Sequence, residues 1–151
     1  MDEGMFVELN LPRYEFKIRE FREGKQIYDV VRKKFVLLTP EEWVRQNLIA
    51  YLSAEKHYPV PLMAVEKKLM VNNMPRRFDL LIYDRKGNPL LVAEFKSPSV
   101  KIVQDAFTQV VRYNSKLRVP LILVSNGLTH FICKIDYHSG SVVYLDQIPD
   151  F

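Results

Sequence analysis

The chain has 151 residues, the length of one domain, and its 48% hydrophobic and 12% aromatic residues exclude a disordered tail or linker. It holds no apolar run near the roughly 18 residues that a membrane span needs, and it shows no signal-peptide pattern. Its one cysteine cannot form an internal disulfide. We therefore expect a soluble cytoplasmic protein. The net charge is +4, and residues 67–118 carry eleven Lys and Arg against four Asp and Glu, which is typical of a phosphate-backbone binder, although a solvated basic face predicts the same excess.

The N-terminal residues predict a β-hairpin. Residues 14–19 alternate apolar and charged side chains, as a half-exposed strand does, and residues 26–31 follow a glycine-containing turn as a second strand. No repeat, low-complexity segment or linker interrupts the sequence. We therefore expect a single domain over residues 1–151, in which residues 1–38 form a hairpin extension and residues 39–146 form the core.

A helix is predicted to begin at Thr39. Thr39 suits the N-cap, Pro40 suits the first helical position, and Glu42 stands where a capping box places its acid. The apolar stripe behind this start consists of Val44, Leu48, Tyr51 and Leu52. We expect the helix to end near Lys56, before a segment that contains two prolines.

The remaining sequence alternates strands and helices. Residues 65–71 predict either a strand or a short helix that starts at Pro61. The later elements, in chain order, are strands 78–83 and 90–96, a helix 102–116, and strands 120–125, 128–135 and 141–144, of which the first two are joined by the two-residue turn Asn126-Gly127. One side of the helix carries Val103, Phe107, Val110, Val111 and Asn114, and we expect this side to pack against the sheet. This order predicts an α/β fold with a central mixed sheet of four to five strands flanked by helices.

The hairpin around residues 84–89 brings two acids together. If this six-residue connection is symmetric, Tyr83 faces Leu90 across the ladder, and Asp79 faces Glu94. Directly opposed side chains lie about 4.5–5.5 Å apart at Cβ, where like charges are destabilising. A divalent cation between the carboxylates removes this conflict, and hard oxygen ligands suit Mg²⁺ or Mn²⁺.

The pattern around these two acids also allows an arrangement without a metal. Alternation places Lys96 on the face of Glu94, so Lys96 and Arg77 can neutralise the acids as a structural ion cluster. A register shifted by one residue, or a bulge, would separate Asp79 from Glu94 altogether.

The same residues resemble a nuclease signature. Residues 76–79, Arg-Arg-Phe-Asp, and residues 93–96, Ala-Glu-Phe-Lys, resemble the Asp…Glu-X-Lys pattern of the PD-(D/E)XK nuclease superfamily, and residues 109–113 are similar to the Gln-X-X-X-Tyr motif of a subset of it. The run from Thr39 to Gly127 resembles the N-terminal nuclease domain of type I restriction enzyme R subunits. The resemblance covers about residues 35–135 and implies a restriction-endonuclease-like core.

The resemblance also implies roles for the motif residues. Asp79, Glu94 and the main-chain carbonyl of Phe95 would hold Mg²⁺ or Mn²⁺, which stabilises the charge that develops on the phosphate and lowers the pKa of a bound water. Lys96 would orient or deprotonate that water, or neutralise the developing charge. A lysine beside two carboxylates keeps its proton more firmly, which favours the electrostatic role.

A polar stripe on the second predicted helix completes the proposed site. Gln109 and Tyr113 are four residues apart and share a face with Arg112 and Lys116. By resemblance, Gln109 would bind a metal-bound water or the scissile phosphate, Tyr113 a backbone phosphate, and Arg112, Lys116 and Arg77 the nucleic acid. The alternative is an ordinary solvent-facing helix side.

Members of this superfamily often place an additional glutamate on the first helix. Glu42 is already explained by the capping box, whereas Glu41 can point towards the sheet, and Glu66 is a third candidate. The sequence favours none of them decisively.

The sequence leaves three classes of function. The first is a Mg²⁺-dependent endodeoxyribonuclease that lacks the helicase motor of R subunits, for which 151 residues leave no room, and that relies on a separate targeting or motor subunit. The second is a catalytically silent nucleic-acid-binding or assembly subunit with a nuclease-like fold. The third is a small-molecule hydrolase or a structural α/β domain, which salt-dependent DNA binding would distinguish from the first two.

Overall fold

The computed structural model describes residues 6–151, except for the side chain of Ser115. In chain order the elements are strands β1 (Ile18–Phe21), β2 (Gly24–Asp29) and β3 (Lys34–Leu37), helix α1 (Pro40–Ala54), the 3-10 turn Val60–Leu62, strands β4 (Met63–Val71), β5 (Met74–Tyr83) and β6 (Pro89–Phe95), helix α2 (Gln104–Asn114), the 3-10 turn Ser115–Leu117, and strands β7 (Leu121–Ser125), β8 (His130–Ile135) and β9 (Val142–Leu145). No helix in this part of the chain is long and apolar enough to cross a membrane.

The large sheet is mixed and holds six strands in the order β4-β5-β6-β7-β8-β9. Among the strands of residues 6–151, only β6 and β7 are parallel, and α2 makes the crossover that a parallel pair requires. The α/β class and the mixed sheet are confirmed, but the expected count of four to five strands is wrong. Residues 65–71 belong to a full strand, because Asn72 and Asn73, with φ of 52° and 62°, turn the chain directly back into β5.

Each face of the large sheet packs against one helix. On one face, Leu48 and Leu52 of α1 pack with Leu80 and Ala93, and we name this the α1 face. On the other, Phe107 of α2 packs with residues that include Leu81, Val92 and Val111, and we name this the α2 face.

The buried side of α2 agrees with the predicted one except at Val103, and Val110 is partly buried. Val103 is 48% exposed and lies before the first helical residue, whereas Phe107, Val111 and Asn114 are buried. Spacings of four and three residues keep these three side chains on one side of a helix that begins at Gln104.

The N-terminal extension is a three-stranded antiparallel sheet, so the predicted hairpin is incomplete. The first strand starts at Ile18, four residues later than expected, because the turn after Phe21 pairs Ile18 with Ile27. The sequence pattern did not predict β3, whose four residues pair with β2 but show no clear alternation.

The segment before this sheet docks onto the core. The indole of Trp43 makes edge contacts with Phe6 and Phe16 and donates a hydrogen bond to the carbonyl of Val7 over 3.0 Å. The amide of Asn10 donates to the carbonyl of Gly127 over 2.8 Å. The connection after β7 spans residues 126–129 instead of the two expected, because the side-chain oxygen of Asn126 accepts hydrogen bonds from two amides within it.

Candidate active site

A cavity of about 510 Å³ opens between the N-terminal sheet, α1 and the adjacent parts of β4, β5 and β6. We call it the α1 cavity. It is lined by Arg32, Val36, Leu37, Thr39, Glu41, Glu42, Arg45, Glu66, Asp79, Phe95 and Lys96. Two of the predicted catalytic residues, Asp79 and Lys96, are therefore brought to the same cavity.

Asp79 is held in place from two directions. Its Oδ2 accepts a hydrogen bond of 2.7 Å from the amide of Phe95, which locks the carboxylate against the end of β6. Its main-chain carbonyl accepts one of 3.3 Å from Nη1 of Arg45 on α1. The other carboxylate oxygen, Oδ1, accepts no hydrogen bond from the described residues, so it can bind a ligand in the cavity.

Lys96 follows β6 directly and is anchored through its backbone. Its amide donates a 2.9 Å hydrogen bond to the carbonyl of Ser125 on the neighbouring β7. The side chain is exposed and makes no ion pair with the residues that the structure describes. A charged amine on a fixed backbone thus lines the same cavity as Asp79.

The predicted register of β5 and β6 is confirmed over three pairs. Leu80, Leu81 and Ile82 face Ala93, Val92 and Leu91. Near the turn, however, Tyr83 faces Pro89 and not Leu90, because the register shifts between Ile82 and Tyr83.

Strand alternation breaks at Asp79. Leu80 packs on the α1 face, yet Phe78, two residues away on the same strand, packs on the α2 face. The neighbouring β4 residue Glu66 has a left-handed φ of 56°, and no pair joins it to Asp79 although the flanking residues pair in register. The ladder is irregular here, so opposed positions no longer imply a shared face.

Glu94 consequently does not line the α1 cavity. It forms an ion pair with Arg76. The guanidinium of Arg76 lies 5.4 Å from the ring centroid of Phe78 and 4.3 Å from that of Tyr113, which places the pair on the α2 face. The ion partner of Glu94 is therefore Arg76 and not the predicted Lys96 or Arg77. Arg76 is two residues before Phe78 on β5, so the two side chains share one face of the strand, and this spacing was visible in the sequence.

The polar stripe of α2 lies beside this ion pair. A second, shallow cavity of about 390 Å³ is lined by Arg76, Gln109, Val110, Arg112 and Tyr113. Tyr113 is 61% exposed, as expected for a residue that contacts a ligand or solvent. Gln109 and Tyr113 are thus grouped with Glu94, and not with Asp79 and Lys96.

Two further predicted contacts are exposed outside both cavities. Lys116 lies in the 3-10 turn after α2, and Arg77 lies on β5. Their roles in nucleic-acid binding stay predictions.

Glu42 forms a buried ion cluster at the side of the α1 cavity. Its carboxylate accepts hydrogen bonds from Arg32 Nη2 at 2.7 Å, Arg45 Nη2 at 2.6 Å and Gln46 Nε2 at 3.0 Å. Burial by itself would raise the pKa of Glu42, but the hydrogen bonds from Arg45, Gln46 and Arg32 outweigh burial and lower the pKa to about 2. Two arginines therefore favour the ionised form of the Glu42 carboxylate.

This cluster corrects the expected capping box. Thr39 Oγ1 does accept a 3.1 Å hydrogen bond from the amide of Glu42, so the N-cap is confirmed. The Glu42 side chain, however, turns towards the sheet and binds arginines. The sequence signal for this was the spacing of three between Glu42 and Arg45, which also suits an ion pair on a helix.

One sequence family matches most of the chain. The model of the family "Type I restriction enzyme R protein N terminus" matches residues 40–149. The chain belongs to this family. Among solved structures, a fragment assigned to an HsdR subunit of a type I restriction enzyme from Vibrio vulnificus YJ016 is similar, with 19% identity and a TM-score of 0.44. The similarity covers 68% of this chain and 22% of that one, and no curated protein sequence matches.

In this R-subunit N-terminal domain, part of the α1 cavity comes from residues that precede the family match. Arg32, Val36 and Leu37 line the cavity, although the match begins at residue 40. Arg32 also forms an ion pair with the buried Asp29 of β2, which fixes its guanidinium next to Glu42. The N-terminal sheet is thus continuous with the site of the family domain.

The cavity of the R-subunit N-terminal domain offers oxygen ligands of the kind that Mg²⁺ or Mn²⁺ prefers. Asp79 presents a carboxylate oxygen, Glu41 is exposed at the rim, and the side chain of Glu66 is 45% exposed and 3.7 Å from Arg45. The described residues contain no cluster of three or more Asp, Glu, His or Cys side chains that could hold a metal. The donor set therefore suits a hard cation in kind, whereas Glu94 lies on the α2 face in its ion pair with Arg76.

Proposed function

We propose that this chain hydrolyses phosphodiester bonds of DNA and that Asp79 and Lys96 carry the reaction in the α1 cavity. The observation that supports the proposal is their convergence: a carboxylate fixed by the Phe95 amide and an amine fixed through the Ser125 carbonyl line one cavity of an R-subunit N-terminal domain. In the reaction, water attacks phosphorus, one P–O bond breaks, and the leaving sugar oxygen takes up a proton.

The protein groups have distinct tasks in this proposal. Lys96 neutralises the charge that develops on the phosphate oxygens, since its exposed side chain lines the same cavity as Asp79. Asp79 Oδ1, together with the main-chain carbonyl of Phe95, would hold Mg²⁺ or Mn²⁺. A bound cation supplies Lewis acidity and a water of lowered pKa. Glu94, which pairs with Arg76 on the α2 face, would join these ligands only if it released Arg76 and turned towards the α1 cavity.

The test is a plasmid-nicking assay with Mg²⁺ or Mn²⁺ on the full chain. We expect Asp79→Asn, which keeps the hydrogen bond to the Phe95 amide, and Lys96→Met each to lower the nicking rate more than about a hundredfold, because several kcal/mol of transition-state stabilisation are lost. The matched control is Asp146→Asn, an exposed aspartate on the chain segment after β9. Unchanged nicking in Asp79→Asn would refute the assignment.

Metal binding is measured separately by calorimetric titration of Mn²⁺. If Glu94 exchanges from Arg76 to the metal, Glu94→Gln weakens binding, and Arg76→Met strengthens it because no competing cation then holds the carboxylate. If neither variant changes Mn²⁺ affinity, Glu94 is not a metal ligand.

The Arg76–Glu94 pair also supports a second candidate, a catalytically silent DNA-binding or assembly module. In that case the ion pair is a permanent structural contact. Arg76→Met would then lower the free energy of unfolding without any gain in Mn²⁺ affinity, and the wild-type chain would bind DNA without nicking it.

The partners of this chain are also proposals. Family membership supports DNA as the substrate and assembly with further subunits of a type I restriction complex, in which a separate subunit would supply targeting or translocation.

A further inference from the structure

The outer half of the β4–β5 hairpin extends beyond the rest of the large sheet. β5 pairs with β6 only from Leu80 to Tyr83, whereas its pairing with β4 continues to Met74. The hairpin closes at Asn72 and Asn73, both left-handed, as a tight turn matched to strand twist requires. We name residues 67–78 the β arm.

One face of the β arm is held against the core. Val71 is 7% exposed, and Leu69 packs with the core of the α2 face, as Phe78 does from the opposite strand. The arm is therefore a supported two-stranded ribbon with one surface left for another molecule.

The opposite face of the arm is basic. Lys68 lies directly across from Arg77, and both side chains are exposed. Neither forms an ion pair with any residue that the structure describes. Like charges opposed on a strand pair destabilise it, so a negatively charged partner that lies over both would relieve the repulsion.

This basic face leads into the α1 cavity. Arg77 lies two residues before Asp79 on β5 and Lys68 lies two residues after Glu66 on β4, and both acids line the cavity. The tip of the arm carries two large apolar side chains, Met70 and Met74, which are 64% and 67% exposed. A cationic strip with an apolar tip therefore borders the proposed catalytic residues.

We propose that the β arm lies in the major groove of duplex DNA, with Lys68 and Arg77 on backbone phosphates and with Met70 and Met74 against base edges. The proposal rests on the proposed DNA substrate and adds the surface that binds it. The major groove of B-form DNA admits a two-stranded β-ribbon, and its thymine methyl groups offer apolar contacts. The deep, narrow major groove of A-form RNA does not admit such a ribbon, which makes DNA the better partner.

The charge contribution is tested by fluorescence anisotropy of a labelled duplex of about 30 base pairs, in EDTA to prevent cleavage, over a series of salt concentrations. For Lys68→Ala/Arg77→Ala we expect the slope of log Kd against log salt to fall by about two, and the affinity at about 0.1 M salt to fall at least tenfold.

The matched control is Arg85→Ala/Lys86→Ala, which also removes one arginine and one lysine, but from the exposed turn at the other end of β5. It should keep the wild-type slope. If both double variants change the slope equally, the effect is one of net charge, and the proposal is overturned.

The apolar tip is tested with Met70→Ser/Met74→Ser. We expect weaker binding with an unchanged salt slope, because no phosphate contact is lost. Equal affinity of the wild type for a duplex RNA of the same sequence would contradict insertion into a DNA major groove.

The outcomes separate this proposal from the proposed catalytic function. Arm-dependent DNA binding without metal-dependent nicking would support the β arm and refute the nuclease. Nicking that depends on Asp79, together with arm variants that bind like the control, would support the nuclease and refute the β arm.

Discussion

At the scale of single residues, Glu42 shows how burial changes the role of a side chain. Its position three residues after Thr39 suits a capping box, but the same position faces the sheet, where Arg32 and Arg45 approach it. A buried carboxylate is stable only when it is paired, so the two arginines outweigh a weak bond to the helix N-terminus.

We expect Glu42→Gln to lower the free energy of unfolding by about 3 kcal/mol, because it removes the buried carboxylate that the largely buried guanidinium groups of Arg32 and Arg45 share. Urea unfolding measures the change. Glu41→Gln is the control, since Glu41 is exposed on the same helical turn, and an equal loss in both variants would contradict the role of the cluster.

The same residue predicts a pH dependence. Its pKa is about 2 in the folded chain against 4.5 for the ordinary side chain. A lowered folded-state pKa stabilises the fold fully above the unfolded value, and this stabilisation is lost as pH falls from about 4.5 towards 2. Urea unfolding at several pH values between about 4.5 and 2 should show that Glu42→Gln loses less free energy of unfolding on acidification than the wild type does. If both proteins lose the same amount, other groups cause the loss of stability in acid.

At the scale of elements, the extended N-terminal segment is held by the turn between β7 and β8. The carbonyl of Asn10 lies 3.0 Å from His130 Nε2 and accepts its hydrogen bond, and the amide of Asn10 donates to the carbonyl of Gly127. Gly127 has a φ of 84°, and a Cβ atom there would lie 2.6 Å from a methyl group of Leu9.

We expect Gly127→Ala to lower the free energy of unfolding by about 1–2 kcal/mol through backbone strain and also to displace the N-terminal segment. Gly87→Ala is the matched control, because Gly87 has a φ of 86° but no neighbouring atom within 4 Å of the position that an alanine methyl group would take. Urea unfolding measures the change in the free energy of unfolding that backbone strain causes. The rate of limited proteolysis in the segment before residue 16 measures how far this segment is displaced from the core. Equal behaviour of both variants would mean that the contact with Leu9 contributes nothing.

At the scale of the whole molecule, the N-terminal sheet and the family domain share one interior. Arg32 reaches Glu42, the indole of Trp43 contacts Phe6, and Leu11 and Val31 pack against the core of the α1 face. We therefore regard the extension as part of the structure that forms the α1 cavity.

Removal of residues 1–38 is expected to lower the thermal unfolding midpoint and to abolish any DNA nicking, because it exposes the indole of Trp43 and deletes one side of the cavity. Circular dichroism melting of the 39–151 fragment measures the first effect. The full chain with Arg32→Met separates loss of the ion contact from loss of packing. A fragment that unfolds at the full-length midpoint would show that the family domain is independent of the extension.

Local sequence patterns determined much of this protein. Thr39 and Pro40 set the start of α1, the periodicity of apolar residues predicted both helices, and a symmetric connection predicted three of the residue pairs between β5 and β6 correctly. These features depend on contacts between near neighbours in the chain, so their signals are present in short windows of sequence.

Only the tertiary structure decided which of the candidate site residues meet. The irregular ladder at Glu66 and Asp79 sends Asp79 to the α1 cavity while Glu94 stays with Arg76 on the α2 face. Likewise, Arg32 reaches Glu42 only because a separate sheet folds over α1. Such placements depend on long-range packing and on a break in alternation, and a rule that assumes regular strands cannot anticipate either.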